Sequence, residues 1–175
     1  MKDRKLSNRE LRRISASEYA EKSRGGAVVV LDNVRSAHNV GSVFRTADAF
    51  LADKVVLCGI CACPPGAEIH KTALGAEDSV PWEHSDDTLE VLRRLRTGGY
   101  TIVAVEQTEC SVPLEDFVRR EGEKYALVFG NEVEGVSQDV VDFCDFSLEI
   151  PQWGTKHSLN VSVSAGIVLW HFRPM

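Results

Sequence analysis

Five runs rich in apolar and β-branched residues decide most of what this chain can fold into: Ala27–Leu31, Lys54–Cys58, Tyr100–Val105, Lys124–Phe129 and Phe146–Ile150. They are continuous rather than alternating, which suits strands covered on both faces of a sheet. Helical patterns lie between them at Val40–Phe50, Asp87–Thr97 and Gln138–Phe143, and a last helix runs from Asn160 to Phe172. Gly98-Gly99 offers a stop for the second helix and Ser137 a cap for the third. Strand–helix alternation of this kind predicts an α/β fold, a parallel sheet flanked by helices. Ligand sites then belong in the loops beyond the carboxyl ends of the strands. The closing helix is apolar on two faces, Val161, Ala165, Leu169 and Phe172 on one and Val163, Ile167 and Trp170 on the other. Such a helix is buried on more than one side, by its own core or by a second subunit.

At 175 residues the chain is one domain's worth of protein. No apolar run approaches the ~20 residues that cross a bilayer, and the basic start lacks a secretory apolar stretch. Five cysteines without repeated spacing argue against a disulfide framework and for a reducing, cytoplasmic setting. The net charge of −6 is unevenly spread, because residues 1–24 hold eight basic and four acidic side chains. We therefore divide the chain into a basic arm, residues 1–24, and a domain, residues 25–175. In the arm, Ser7 and Glu10 have capping-box spacing inside a Leu6/Leu11 staple, which predicts a helix from Ser7 to Lys22 ended by Gly25-Gly26. An acidic chain is a poor non-specific nucleic-acid binder, but a local basic helix leaves a specific polyanion partner open.

Three segments that follow strands carry residues a packed core does not require. In the first, Asn39-x-Gly41-x-x-x-Arg45, Asn39 is a natural N-cap. Arg45 shares a face with Gly41 and would reach back toward the helix opening, where an anion would meet amides and a guanidinium. The alternative is a capped helix with Arg45 paired to a surface acid. In the second, Phe129–Gly135, Gly130 permits close backbone approach and Gly135 a tight turn, with Glu132 and Glu134 beside them. The third, Ile150–Val163, crosses Gly154 and opens the closing helix at Ser158-Leu159-Asn160, whose polar groups are either caps or ligand contacts. Cys58, Cys61 and Cys63 invite a metal reading with His70 as a fourth ligand; burial at a strand end is the simpler explanation, and no metal site is expected. His157 reads as a polar loop residue, and no Ser-His-Asp arrangement stands out.

Taken together, the three segments resemble the SpoU (TrmH-like) family of the SPOUT superfamily, RNA ribose 2′-O-methyltransferases. Asn39-Val40-Gly41 with Arg45-Thr46-Ala47 is similar to the first family motif. Gly130-Asn131-Glu132 with Gly135 is similar to the second, and Ile150-Pro151 with Ser158-Leu159-Asn160-Val161-Ser162 to the third. Gln152 stands where the family commonly has Met, and Ser164 where it often has Ala. The resemblance implies a C-terminal deep trefoil knot, a homodimer, and methyl transfer from S-adenosylmethionine to a ribose of tRNA or rRNA. It implies a cofactor site built from Val105, Phe129, Gly130, Ile150, Ser158 and Leu159. It also implies catalytic roles for Arg45, Asn39, Glu132, Ser158 and Asn160. Arg45 is assigned as general base in the family. Moving an arginine from about 12.5 to 7 costs roughly 7 kcal/mol, so a cationic clamp on phosphate and developing alkoxide is the physically cheaper role. A non-catalytic RNA-binding module and a nucleotide-binding α/β protein are the rival readings. The set Asn39, Arg45, Glu132, Ser158 and Asn160 speaks against the first, and affinity for S-adenosylmethionine over ATP would dispose of the second.

Overall fold

The computed structural model describes residues 3–7, 10–11, 13–22 and 26–174. In chain order the elements are α1 (Ala16–Glu21), β1 (Ala27–Asp32), α2 (Ala37–Ala49), β2 (Lys54–Cys58), α3 (Ala67–Ala73), α4 (Ala76–Ser79), β3 (Trp82–Ser85), α5 (Thr88–Thr97), β4 (Tyr100–Val105), β5 (Val112–Pro113), β6 (Lys124–Phe129), α6 (Gln138–Phe143), β7 (Phe146–Glu149) and α7 (Val161–Phe172). The seven strands form one sheet in the order β3-β2-β1-β6-β4-β7-β5, and every pairing in it is parallel.

The continuous apolar runs are explained by two cores, one on each face. Along β1, Val29 and Leu31 point into one core and Val28 and Val30 into the other, and β2, β4 and β6 divide their residues in the same way. Helices α2, α3 and α7 cover the first face through Val40, Val43, Phe44, Ile69 and Val168. Helices α5 and α6 cover the second through Val91, Leu92 and Val140. The five expected strands are present, with Phe146–Glu149 ending one residue early. Two edge strands were not foreseen. β3 reads Trp-Glu-His-Ser and β5 has two residues, so neither carries an apolar run. Helices α3 and α4 are seven and four residues long, and their N-caps are Gly66 and Gly75, neither of which offers a capping side chain.

The expected N-terminal helix from Ser7 to Lys22 is corrected: among the described residues only Ala16–Glu21 is helical. Glu10 Oε2 accepts the Ser7 amide and hydroxyl, but the Glu10 amide donates to the Ser7 carbonyl and not to its hydroxyl, so only half of a capping box forms and it closes a turn. Leu6 and Leu11, the intended staple, stay 52% and 40% exposed. The capping box that starts α1 is Ser15 with Glu18. Its anchor is Tyr19, 1% exposed, whose hydroxyl donates to the Ala52 carbonyl at 2.8 Å.

Helix α2 begins earlier than expected. Its N-cap is Ser36, whose hydroxyl accepts the Asn39 amide at 3.3 Å, so Asn39 lies inside the first turn and is not the cap. Gly41 is buried where α2 crosses α3, and a Cβ there would overlap Thr72 Oγ1 and the Ile69 carbonyl. Because backbone cannot yield as a flexible side chain does, Gly41→Ala should destabilise the fold by about 1–3 kcal/mol. Chemical denaturation checks this, with Gly154→Ala, at a position open to space, as the control expected to change little.

Candidate functional site

Strands β6, β4 and β7 are neighbours, and the loops leaving their carboxyl ends enclose a cleft of about 500 Å³. Val105, Glu106 and Gln107 come from the first loop in sequence, Phe129 to Gly135 from the second, and Glu149 to Asn160 from the third. The start of α7 closes one side with Val161 and Ser164. All six residues expected to hold the cofactor, Val105, Phe129, Gly130, Ile150, Ser158 and Leu159, line this one cleft. So do Glu132 and Asn160.

Side-chain hydrogen bonds fasten the opening of α2 to the loops after β6 and β7. Glu132 Oε2 accepts the Arg35 amide at 2.9 Å, and Oε1 accepts the Ser36 amide at 3.0 Å and Asn39 Nδ2 at 2.8 Å. Asn39 Oδ1 in turn accepts Asn160 Nδ2 at 3.1 Å. Asn160 caps α7 by accepting the Ser162 amide and hydroxyl at 2.9 and 2.6 Å. The three motifs therefore meet as one chain, Glu132 to Asn39 to Asn160. Glu132 holds its loop against backbone amides at the opening of α2.

Arg45 stands elsewhere. It is exposed on α2, six residues and roughly 9 Å of helix beyond Asn39, and is not among the residues lining the cleft. Among the described residues its side chain has no hydrogen bond or ion pair. The reading in which Arg45 pairs with a surface acid is therefore not what the fold adopts. Gly130 allows the close backbone approach expected of it, to the chain itself. Its bare Cα admits the backbone of Gly135 and Val136, closing the Asn131–Gly135 bridge, while the residue also lines the cleft. Gly135 takes φ +71°, the left-handed turn expected of it.

Four residues that hold the site had no signal in the sequence. Glu106 accepts the Val136 amide at 3.0 Å, and Gln107 Nε2 donates to the His157 carbonyl at 2.8 Å. The loop after β4 thus grips both of the others. Asp32, 2% exposed at the end of β1, accepts from Thr88 Oγ1 at 2.6 Å and from the Ser137 hydroxyl at 3.3 Å. The Asn33 carbonyl accepts Asn131 Nδ2 at 2.8 Å. Polar residues at strand ends are too common for sequence to single these out. His157 lines the cleft.

The cleft's charge is one-sided. Glu106, Glu132, Glu134 and Glu149 line it, with no Lys or Arg, so it suits a cationic ligand and repels a polyphosphate. The cysteine cluster is a separate matter. Cys61 Sγ donates to the Leu31 carbonyl and accepts the Val34 amide. Burial pushes Cys58 up to about 12 and Cys61 up to about 11.

Partial burial pushes Glu132 up, but the Arg35 amide, the Asn39 side chain and the Ser36 amide outweigh it and hold the carboxyl below its usual range. A depressed native value contributes stability that is present above the unfolded value, about 4.3, and is lost as pH falls through the native one. Glu132→Gln should therefore lower the melting temperature at neutral pH, and its difference from wild type should shrink as pH drops below 4. Thermal denaturation across pH checks this; a difference that stays constant with pH would show the charge to be irrelevant.

The comparisons with known proteins agree with this geometry. Residues 26–170 match the model of the SpoU rRNA Methylase family. The 23S rRNA (guanosine-2′-O-)-methyltransferase RlmB of Neisseria meningitidis is 32% identical over 152 residues, 83% of this chain and 57% of that protein. An AdoMet-bound rRNA methyltransferase from Sinorhizobium meliloti superposes with a TM-score of 0.79 at 29% identity, covering 86% of this chain and 56% of that one. The A. aeolicus TrmH/SpoU tRNA modifying enzyme gives the same TM-score and identity over 90% and 78%. The chain thus spans a little over half the length of the RlmB relative. With its cleft at the carboxyl ends of β4, β6 and β7 and a family match running from Gly26 to Trp170, the chain belongs to the SpoU rRNA Methylase family.

Proposed function

We propose that this chain transfers a methyl group from S-adenosylmethionine to a ribose 2′-hydroxyl of structured RNA, tRNA or rRNA. The observation that carries the reading is the meeting of three loops around one acidic cleft at the carboxyl ends of adjacent strands. The residues present fit the cofactor. Val105, Phe129, Ile150 and Leu159 offer apolar wall for a base, and the carboxylates favour a ligand bearing sulfonium and ammonium charge. The same charges disfavour the rival, a nucleotide held through its phosphates. The trefoil knot belongs to this reading too.

When bound, the cofactor supplies an electrophilic methyl carbon. The protein's part is positioning, since alignment of the two reactants can supply much of the barrier reduction. Glu132, Asn39 and Asn160 spend their side-chain hydrogen bonds on one another and on backbone, so they act as positioning residues for the loops. The Ser158 side chain has no hydrogen bond among the described residues and lines the cleft; its hydroxyl is available to substrate. Arg45, exposed and without an ion pair, is free to take an RNA phosphate and to stabilise the developing alkoxide.

A homodimer accounts for α7. Its first face is buried, whereas Val163, Ile167 and Trp170 are 50%, 39% and 56% exposed, an apolar stripe that a second copy would cover. In this reading the protein works in the cytoplasm; among the described residues no helix is long and apolar enough to cross a membrane. The basic arm supplies a surface for RNA. Since Tyr19 belongs to the core and Ile14 packs against it, the arm is tested by removing residues 1–13 only.

Two outcomes follow. Arg45→Lys keeps the charge and loses the bidentate fork, so methylation of RNA should fall by about tenfold or more while calorimetric affinity for S-adenosylmethionine stays unchanged. Turnover near wild type would remove Arg45 from the reaction. Deleting residues 1–13 should weaken RNA binding and flatten its dependence on salt, with cofactor affinity intact; unchanged RNA affinity would show that the arm does not contact RNA.

A further inference from the structure

A second recess of about 560 Å³ lies at the β3 edge of the sheet, three strands away from the nearest strand of the cleft. It is formed by the Pro64-Pro65-Gly66 turn, the first residues of α3, helix α4 and Trp82 at the start of β3. Its floor is Glu77, 8% exposed. Glu77 Oε1 lies 2.6 Å from His70 Nδ1. Oε2 is shut off from solvent and is the one buried side-chain nitrogen or oxygen among the described residues without a hydrogen-bond partner. Burial pushes the carboxyl up, but the nearby amides of Glu77 and Gly75 and the His70 ring outweigh it and favour the ionised form. A buried anion with an unfilled acceptor is costly, so a donor arriving there gains more than it would at the surface.

The rest of the lining says which donor. Asp78, exposed beside Glu77, adds a second carboxylate, and no Lys or Arg lines the recess. Pro64, Pro65 and Ala67 give apolar wall, and Trp82, partly buried, gives an indole. A metal ion has no use for such walls, and among the described residues no three His, Cys, Asp or Glu side chains are grouped to hold one. A phosphate-bearing ligand would be repelled by both carboxylates. The His70 side chain is 68% exposed and carries a single hydrogen bond, the one to Glu77, so its ring can swing aside to admit a ligand to the floor.

We propose that this recess binds an organic cation, an alkylammonium or guanidinium group, whose N–H donors meet Glu77 and Asp78 while its carbon framework lies against Trp82. Acid at the floor and an aromatic wall are the two contacts such a cation exploits. The inference does not depend on the methyl-transfer reading, because none of its residues touches that cleft.

The test reads the Trp82 indole N–H signal in 1H–15N spectra of the full chain, identified among the three tryptophans by Trp82→Phe. Spermidine and arginine amide are titrated separately at constant ionic strength, which distinguishes a free polyamine from an arginine side chain. At least one should shift the Trp82 signal saturably, with affinity reduced about tenfold in Glu77→Gln and severalfold in Asp78→Asn. Absence of a saturable shift with either probe would overturn the proposal. So would an equal response to magnesium chloride, which marks a divalent-ion site, or a response confined to guanosine monophosphate, which marks a base reader. Should Glu77→Gln fail to fold, Asp78→Asn at its exposed position decides, and unchanged affinity there would end the case.

Discussion

The candidate site rests on one carboxylate placed against the opening turn of a helix. Glu132 receives two backbone amides and one side-chain amide, and hydrogen bonds to an ionised acceptor are about twice as strong as neutral ones. The first turn of any helix leaves amides without internal partners. Here Ser36 satisfies one, and Glu132, from the loop after β6, the strand beside β1, takes those of Arg35 and Ser36 just outside the turn. That contact draws the loop after β6 onto α2 and leaves the Asn39 carboxamide turned toward Asn160. Segments nearly a hundred residues apart thereby share one set of bonds, and the cleft is their common wall.

The parallel sheet could be read because burial on both faces demands apolar residues at every position, and five strands carry that signature. β3 and β5 could not be read for the opposite reason. They are edge strands whose side chains are only partly buried, so no apolar run was needed. The arm shows a different limit. Ser7/Glu10 and Ser15/Glu18 have the same spacing, and in both the carboxylate accepts the serine amide, so spacing cannot rank them; only Ser15 completes the box by accepting the Glu18 amide. Tertiary burial ranks them: Tyr19 reaches the core, while Leu6 and Leu11 do not. Short capping motifs propose helices, and packing selects among them.

Within the site, sequence identified which residues matter better than what each does. Gly41 and Gly130 both stood out, and both are needed because another part of the chain's own backbone lies against them. A glycine that admits backbone looks identical in sequence to one that admits a ligand. Asn39 has the composition of a cap, but Ser36 takes that place three residues earlier and frees its carboxamide for Glu132 and Asn160. Asp32, Asn33, Glu106 and Gln107 left no pattern because their partners lie on other loops and become neighbours only through the strand order.

Charge completes the picture. In the proposed function an acidic cleft suits a cationic methyl donor but does nothing for RNA, so phosphate would be met outside it. Arg45, without an ion pair on the exposed side of α2 among the described residues, is where such a contact can form without crossing the carboxylates. In the proposed reaction, separating the two signs of charge would let one chain with net charge −6 bind a sulfonium and a polyanion together. Mixing them would pair Arg45 with a cleft glutamate and cancel both attractions. The absence of that pair among the described residues is thus the electrostatic condition for the proposed reaction.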